Sequence, residues 1–139
     1  MNRTSRRSIN RIGTRTRALI VLLVTFGCKG EERGPTLAGG REVKSWLVDL
    51  HDPKPRVRRQ AVLKLGNVGD ADPNVADGLA EALRDADSLV RRDAVLAVAK
   101  LLKPSDAVLA QLKTMEKSDR DPLVRDYAMR AIVHFGNAE

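Results

Sequence analysis

The stretch DADSLVRRDAVLAV, residues 85–98, contains the pattern that decides the fold. From Val90 onward it has apolar residues at offsets of 0, 4, 5 and 8, namely Val90, Ala94, Val95 and Val98, a spacing that gathers side chains into one stripe of an α-helix. Asp87 lies three residues before Val90, where an aspartate can cap the first helical turn. The stretch therefore predicts a turn followed by an amphipathic helix with one buried face.

The same pattern occurs three times in the chain. DPKPRVRRQAVLKL from Asp52 and DRDPLVRDYAMRAI from Asp119 align with it without gaps. Each copy opens with Asp, has Val at its sixth place with Arg directly after, and has Ala four residues beyond the Val. The valines, Val57, Val90 and Val124, are 33 and 34 residues apart. Agreement at this many positions predicts three copies of one structural unit, and Asp121 takes the capping place of Asp87 in the third.

A shorter amphipathic segment precedes each copy, so the unit is predicted to be a helix, a turn and a second helix. These first helices are EVKSWLVDLH at 42–51, NVADGLAEALRD at 74–85 and DAVLAQLKTMEK at 106–117. Pro73 and Pro104 lie just before two of them, where proline is tolerated. Helices of about 12–15 residues are marginal alone, so the units must stack to bury their apolar stripes. Scarce aromatic residues also favour an all-α fold over a sheet.

These residues resemble the HEAT-repeat family, especially its short bacterial repeats with an Asp-Pro turn followed by Val-Arg-x-x-Ala. The resemblance covers about residues 41–136. It implies an α-solenoid of about three helical hairpins, a right-handed superhelix of antiparallel helix pairs, within a domain at 41–139. The expected repeats are about 41–69, 73–102 and 105–136. The pairs that carry it are Asp52-Pro53, Val57-Arg58, Val90-Arg91, Asp121-Pro122 and Val124-Arg125.

The N-terminus has the pattern of an export signal. Residues 1–27 hold six Arg and no acidic residue, and the run ALIVLLVTF at 18–26 has Thr25 as its only polar residue. A helix of that length spans about 14 Å, too short for a hydrocarbon core of about 30 Å. A basic region followed by a short apolar region predicts a signal peptide over residues 1–27.

Cys28 directly follows this segment and is the only cysteine. The Gly27-Cys28 pair resembles the cleavage site of bacterial lipoproteins, although Thr25 and Phe26 depart from the preferred residues. The resemblance implies that Cys28 is lipidated and that the protein is anchored in the bacterial cell envelope; the alternative is a plain thiol beside an ordinary signal peptide or an uncleaved anchor. Residues 28–40, rich in Gly and without apolar periodicity, are predicted to be a flexible tether.

The charge balance argues against nucleic-acid binding. The chain has a formal charge of +7, but without residues 1–27 it keeps 19 basic against 18 acidic residues. A continuous basic face is therefore not expected on the exported part.

The sequence also offers no catalytic or metal-binding pattern, so neither an enzyme nor a cofactor is expected. His51 and His134 are the only histidines and lie in different repeats, with no cysteine or carboxylate pair at ligand spacing. Gly66 and Gly69 do not form a phosphate-binding loop and are predicted to be helix C-terminal caps.

The resemblance implies a structural role for the acidic and basic residues that recur in every copy. In related repeats the turn Asp and the Arg after the Val tie neighbouring repeats together by charge-assisted hydrogen bonds. This predicted ladder consists of Asp52, Arg58, Asp85, Arg91, Asp119 and Arg125.

A partner-binding surface is predicted on the second helices, on the side away from the apolar stripe. Leu63 and Leu96 also fall on that side, where they could equally pack between repeats. The last helix has no following repeat to cover its apolar residues, so a partner or a second copy is expected there. The predicted partner-binding ridge consists of Arg59, Gln60, Arg92, Asp93, Lys100, Tyr127, Arg130 and His134.

The function indicated is a membrane-tethered scaffold that binds an unknown protein partner without catalysis. One alternative is an accessory protein similar to the HEAT-like chromophore lyases, acting on another protein. A nucleic-acid-binding scaffold is a second alternative, and both the charge balance and the export signal argue against it.

Overall fold

The computed structural model describes residues 37–137, so the predicted signal peptide and Cys28 lie outside the described residues. Within this range the chain begins with two short strands and continues as six helices. The strands are β1 (Leu37–Ala38) and β2 (Arg41–Glu42), and the helices are α1 (Val43–Asp49), α2 (Pro55–Val68), α3 (Pro73–Ala82), α4 (Ser88–Val98), α5 (Asp106–Ser118) and α6 (Pro122–Gly136). A single 3₁₀ turn, Gly69–Ala71, follows α2. The all-α prediction is confirmed.

The helices form three hairpins, α1 with α2, α3 with α4 and α5 with α6, and the second helix of each packs on the next. Contacts near the helix starts join Arg59 to Asp93, and contacts near the ends join Asn67 to Lys100. The separation in sequence is 34 residues in the first case and 33 in the second. A nearly constant separation along the contact means that α2 and α4 run in the same direction.

The helices begin where the turn chemistry of the sequence places them. The carboxylate of Asp87 accepts hydrogen bonds from the amides of Leu89 and Val90, and that of Asp121 accepts one from Leu123. Both predicted N-caps are therefore confirmed. Proline occupies the first turn of α2, α3 and α6, where its missing N–H group costs no helical hydrogen bond.

The apolar stripe of each second helix lies in the core between the hairpins. Ala61, Ala94 and Ala128, four residues after each repeat valine, have no exposed surface. The next residue along is also buried in α2 and α4, where it is Val62 and Val95, whereas the equivalent Met129 of α6 is 44% exposed. Burial at this position therefore depends on a following hairpin. No helix within residues 37–137 is both long enough and apolar enough to span a bilayer.

Residues 37–40, which were predicted to be the end of the flexible tether, form part of a β-hairpin instead. β1 and β2 pair antiparallel through a two-residue turn in which Gly39 and Gly40 have φ of 57° and 81°. Left-handed backbone at both positions is the conformation that favours glycine in such hairpins. Ala38 is buried, and its carbonyl oxygen accepts a 2.8 Å hydrogen bond from Nε1 of Trp46. Residues 37–40 thus belong to the folded domain.

The two glycines predicted as helix caps have different roles. Gly69 is the C-cap of α2, with φ of 55°, as predicted. Gly66 lies inside α2 and is buried against Ala97 of α4, so the capping prediction is wrong for this residue. The sequence around Gly66 does not show that a neighbouring helix approaches so closely, because that contact depends on the stacking of two repeats.

Candidate interaction surface

The ladder residues lie at the turns and starts of the second helices, where Arg58 and Arg91 each connect two repeats. Nε and Nη2 of Arg58 donate to the two carboxylate oxygens of Asp85, each at 2.7 Å. Nη1 of the same guanidinium donates to the carbonyl oxygen of Asp52 at 2.9 Å. Arg58 therefore holds the turn of its own repeat and the turn of the next repeat at once.

The second repeat makes the same set of bonds. Arg91 donates through Nε and Nη2 to the carboxylate of Asp119 at 2.9 and 2.7 Å, and through Nη1 to the carbonyl oxygen of Asp85. Arg125 makes the bond to its own turn, from Nη1 to the carbonyl oxygen of Asp119 at 2.8 Å. Two-pronged arginine–carboxylate pairs fix orientation as well as distance, so they set the register between hairpins.

The pKa values of both carboxylates in these pairs lie below their ordinary value, which favours the charged form. Burial acts to raise the pKa of Asp85, but the hydrogen bonds from Arg58 and from the amide of Asp87 outweigh it, and the pKa lies below its ordinary value. At Asp119 burial is likewise outweighed by hydrogen bonds from Arg91 and the amide of Asp121, and its pKa is lowered too. The side chains of Asp85 and Asp119 are only 10% and 6% exposed.

The predicted ridge begins at a cluster of two arginines around one aspartate. Asp93 is 3% exposed, so its carboxylate lies beneath the surface rather than on it. One of its oxygens accepts a 2.7 Å hydrogen bond from Nε of Arg59, and the other accepts from Arg92 at 2.9 Å. Arg59 and Arg92 thus share a single buried counter-charge, and the cluster keeps one excess positive charge.

Two leucines follow this cluster along the same side of the second helices. Leu63 is 48% exposed and Leu96 is 40% exposed, at matching positions of α2 and α4. Beyond them, Nζ of Lys100 donates to Oδ1 of Asn67 at 3.0 Å across the two repeats. The ridge therefore has an apolar centre between cationic ends. Both leucines present about half of their surface to solvent, which leaves that surface available for contact with a partner.

In the third repeat the ridge is built from polar and aromatic groups. The guanidinium carbon of Arg130 lies 5.9 Å from the ring centroid of Tyr127, and Nη2 is 2.9 Å from a carboxylate oxygen of Asp126. Tyr127 also packs against the core and is only partly exposed. His134 is exposed and stacks obliquely on Phe135, and Gln60 of the first repeat is exposed as well. The partner-binding role of the eight residues stays a prediction.

Sequence reasoning missed the burial of Asp93, whereas it placed the two leucines on the side of the helices where the structure shows them. Asp93 falls on the polar side of its own helix, and its contact with Arg59 forms only because the preceding repeat packs beside it. The recurrence of Leu at positions 63 and 96 was a usable signal, since an apolar residue repeated on a polar side marks either packing or contact. Within residues 37–137 no group of three His, Cys, Asp or Glu residues could hold a metal ion.

Comparison with known families gives one match, to a model described as HEAT repeats, over residues 43–138. The match covers the three helical hairpins. No curated protein matches the chain.

Proposed function

The chain belongs to the HEAT-repeat family, whose repeats generally mediate protein–protein interaction, and from this premise we propose that it is a scaffold that binds a protein partner on its ridge. The ridge consists of Leu63 and Leu96 together with the eight residues predicted from the sequence, which are Arg59, Gln60, Arg92, Asp93, Lys100, Tyr127, Arg130 and His134. Proteins of this family are typically non-enzymatic scaffolds.

The main support for this surface is that two half-exposed leucines, Leu63 and Leu96, lie at equivalent positions of α2 and α4 between charged groups. Apolar side chains surrounded by polar ones are the usual composition of a contact centre and its rim. Arginine and tyrosine, both present on the ridge, are enriched among residues that contribute most to binding.

The charges of the ridge indicate the chemistry of the partner. Arg59 and Arg92 share the carboxylate of Asp93, and Lys100 is bonded to the neutral amide of Asn67, so positive charge exceeds negative charge on both sides of the leucines. The complementary segment has apolar side chains with carboxylates beside them, because opposite charges at the rim favour encounter and suppress wrong partners.

The second part of the proposal is that the scaffold is held at a membrane of the bacterial envelope through lipid on Cys28. What supports it is the sequence: a basic segment, a short apolar run and a Gly-Cys pair. Each methylene that enters the bilayer contributes about 0.8 kcal/mol, so two or three acyl chains are enough for firm anchoring.

The ridge is tested by crosslinking and co-purification of the full-length protein from its native envelope, comparing two double variants. Leu63→Ser with Leu96→Ser removes the apolar centre. Val48→Ser with Leu102→Ser is the control, because it removes two aliphatic side chains outside the ridge that are 71% and 87% exposed. We expect the first variant to lose the partners that the unaltered protein and the second variant retain. If both variants keep the same partners in the same yield, the ridge is not the binding surface.

The anchor is tested separately by membrane fractionation and mass analysis of the N-terminal fragment. Cys28→Ala should move the protein from the membrane to the soluble fraction, and the fragment from the unaltered protein should carry the mass of acyl chains. A protein that stays on the membrane after this substitution is not held there by lipid on Cys28.

A further inference from the structure

The ladder is incomplete at its C-terminal end. Arg58 and Arg91 each use Nη1 for their own turn and the Nε and Nη2 side for the aspartate of the next repeat. Arg125 keeps the first bond, to the carbonyl oxygen of Asp119 at 2.8 Å. Among residues 37–137 no carboxylate lies within ion-pairing distance of it, so the side that binds carboxylate in the other two repeats is open.

The ladder is also incomplete at its first turn, where the carboxylate is present and the arginine that would bind it is missing. The carboxylate of Asp52 accepts the amide of Lys54 at 2.8 Å, just as those of Asp85 and Asp119 accept the amides two residues on. Its carbonyl oxygen accepts from Arg58, again as in the later turns. Within the described part of the chain, no cation pairs with the Asp52 carboxylate. The turn is therefore built like the two that receive an arginine, and it lacks only that arginine.

The surface of α6 beside Arg125 corresponds to the surface that α2 and α4 bury against the next repeat, but in α6 it is exposed. Met129 and Val133 of α6 are 44% and 55% exposed. The residues at the place of Met129 in the earlier repeats, Val62 and Val95, are 0% and 1% exposed because the next second helix covers them. The residue at the place of Val133 in α2 is Gly66, which packs against Ala97.

From these two complementary ends we infer that copies of this chain associate head to tail, with the Asp52 turn of one copy docked on Arg125 of another. The polar contact that lies beside the ladder between the first two repeats also has a complementary pair at the proposed junction. Arg59 of the first repeat donates to Asp93 of the second, and the corresponding residues at the junction are Asp126 and Gln60, an acceptor and a donor. This association uses the two ends of the stack, and Gln60 is the one ridge residue that it places at the junction.

The hairpin of β1 and β2 limits how much of the first repeat takes part. Ala38 is buried, β1 packs on α2, and Gly39 lies against the side chain of Lys64. The C-terminal half of α2 is thus covered, and only its start, with Asp52 and the half-buried Val57, is free to dock. A small interface of this kind is weak, and a head-to-tail contact that does not close continues into longer assemblies as concentration rises.

The test is sedimentation velocity of the full-length chain in a mild detergent over a concentration series. We expect the unaltered protein to associate as its concentration rises. Arg125→Asp and Asp52→Arg, each alone, place like charges at the junction and should raise the concentration needed for association by at least about tenfold. An equimolar mixture of the two variants restores opposite charges at every junction and should associate like the unaltered protein.

Two further variants keep the result unambiguous. Lys103→Asp makes the same charge change at an exposed residue of the turn between α4 and α5, outside the ladder and away from both ends of the stack, and should leave association unchanged. Asp52→Asn keeps the side-chain oxygen that accepts the Lys54 amide, so its weakened association cannot be attributed to a disrupted turn. Association that is equal in all variants, a monomer at every concentration, or a mixture that fails to recover would each overturn the inference.

Discussion

A Cβ atom on Gly66 would lie 2.7 Å from Cβ of Ala97 and 3.1 Å from its Cα, so α2 and α4 approach each other at a point where residue 66 has no side chain. Helix backbones this close leave no room for even one methyl group. The first two hairpins are therefore held at a distance that is set by this pair.

Substitution of Gly66 by Ala should destabilise the protein although alanine is the better helix former. Overpacking against a backbone costs about 1–3 kcal/mol, and the gain in helix propensity returns about 1 kcal/mol, so we expect a net loss of up to about 2 kcal/mol in the free energy of unfolding. Denaturant unfolding measures it. Gly136→Ala is the matched control, because no atom lies within 4 Å of the added Cβ, and it should not destabilise. Equal effects of the two substitutions would contradict the close approach.

Loss of a ladder arginine should cost more inside the stack than at its end. Arg91→Gln leaves the carboxylate of Asp119, only 6% exposed, without its cation, and we expect a loss of about 2–4 kcal/mol in the free energy of unfolding. Arg125→Gln removes only a bond to a carbonyl oxygen and should cost about 1 kcal/mol or less. Thermal or denaturant unfolding of both variants checks the order; a reversed order would mean that the Arg91 pair does not stabilise the stack.

The lowered pKa values of Asp85 and Asp119 predict a specific loss of stability in acid. A carboxyl group whose pKa is lower in the folded than in the unfolded state adds stability that is complete above the unfolded value, about 3.9, and is lost as pH falls through the folded value. We therefore expect the free energy of unfolding to decline from about pH 4 downward. Asp85→Asn should reduce the slope of that decline, since the amide does not titrate. A slope unchanged in Asp85→Asn would contradict the assignment.

The hairpin of β1 and β2 should be detectable through Trp46, the only tryptophan in the chain. Gly40 has φ of 81°, a conformation that a β-branched residue avoids, so Gly40→Val should release the hairpin. Trp46 is 4% exposed and bonded to the Ala38 carbonyl, and its fluorescence should move to longer wavelength when that cover is lost. Leu37→Thr changes a residue that is 61% exposed and should leave the emission in place. An unshifted spectrum in Gly40→Val would mean that the turn tolerates the side chain.

The parts of the fold that depend on local pattern could be predicted from the sequence. The spacing of apolar residues after Val57, Val90 and Val124 predicted the second helices, and Asp87 and Asp121 were identified as caps because capping involves only the next few amides. The recurrence of three similar copies predicted their stacking.

The features that were missed depend on contacts between distant residues or on very short elements. Gly66 was wrongly interpreted as a cap. Its actual role, a close contact with Ala97, arises only when two repeats stack and leaves no local sign in the sequence. Asp93 was placed on the surface because its own helix does not show that Arg59 covers it. The strands at 37–42 have two residues each, too few for an alternating pattern to be recognised.

The ladder bonds between neighbouring hairpins join residues that are 27 and 28 positions apart, and the second hairpin offers the third the same arginine that it accepts from the first. A tandem duplication of the gene segment that encodes residues 73–102 would therefore insert a further unit whose Asp and Arg meet ready partners on both sides. Such a duplication preserves every bond of the ladder, so the length of the molecule is open to change by a single genetic event while its two ends stay as they are.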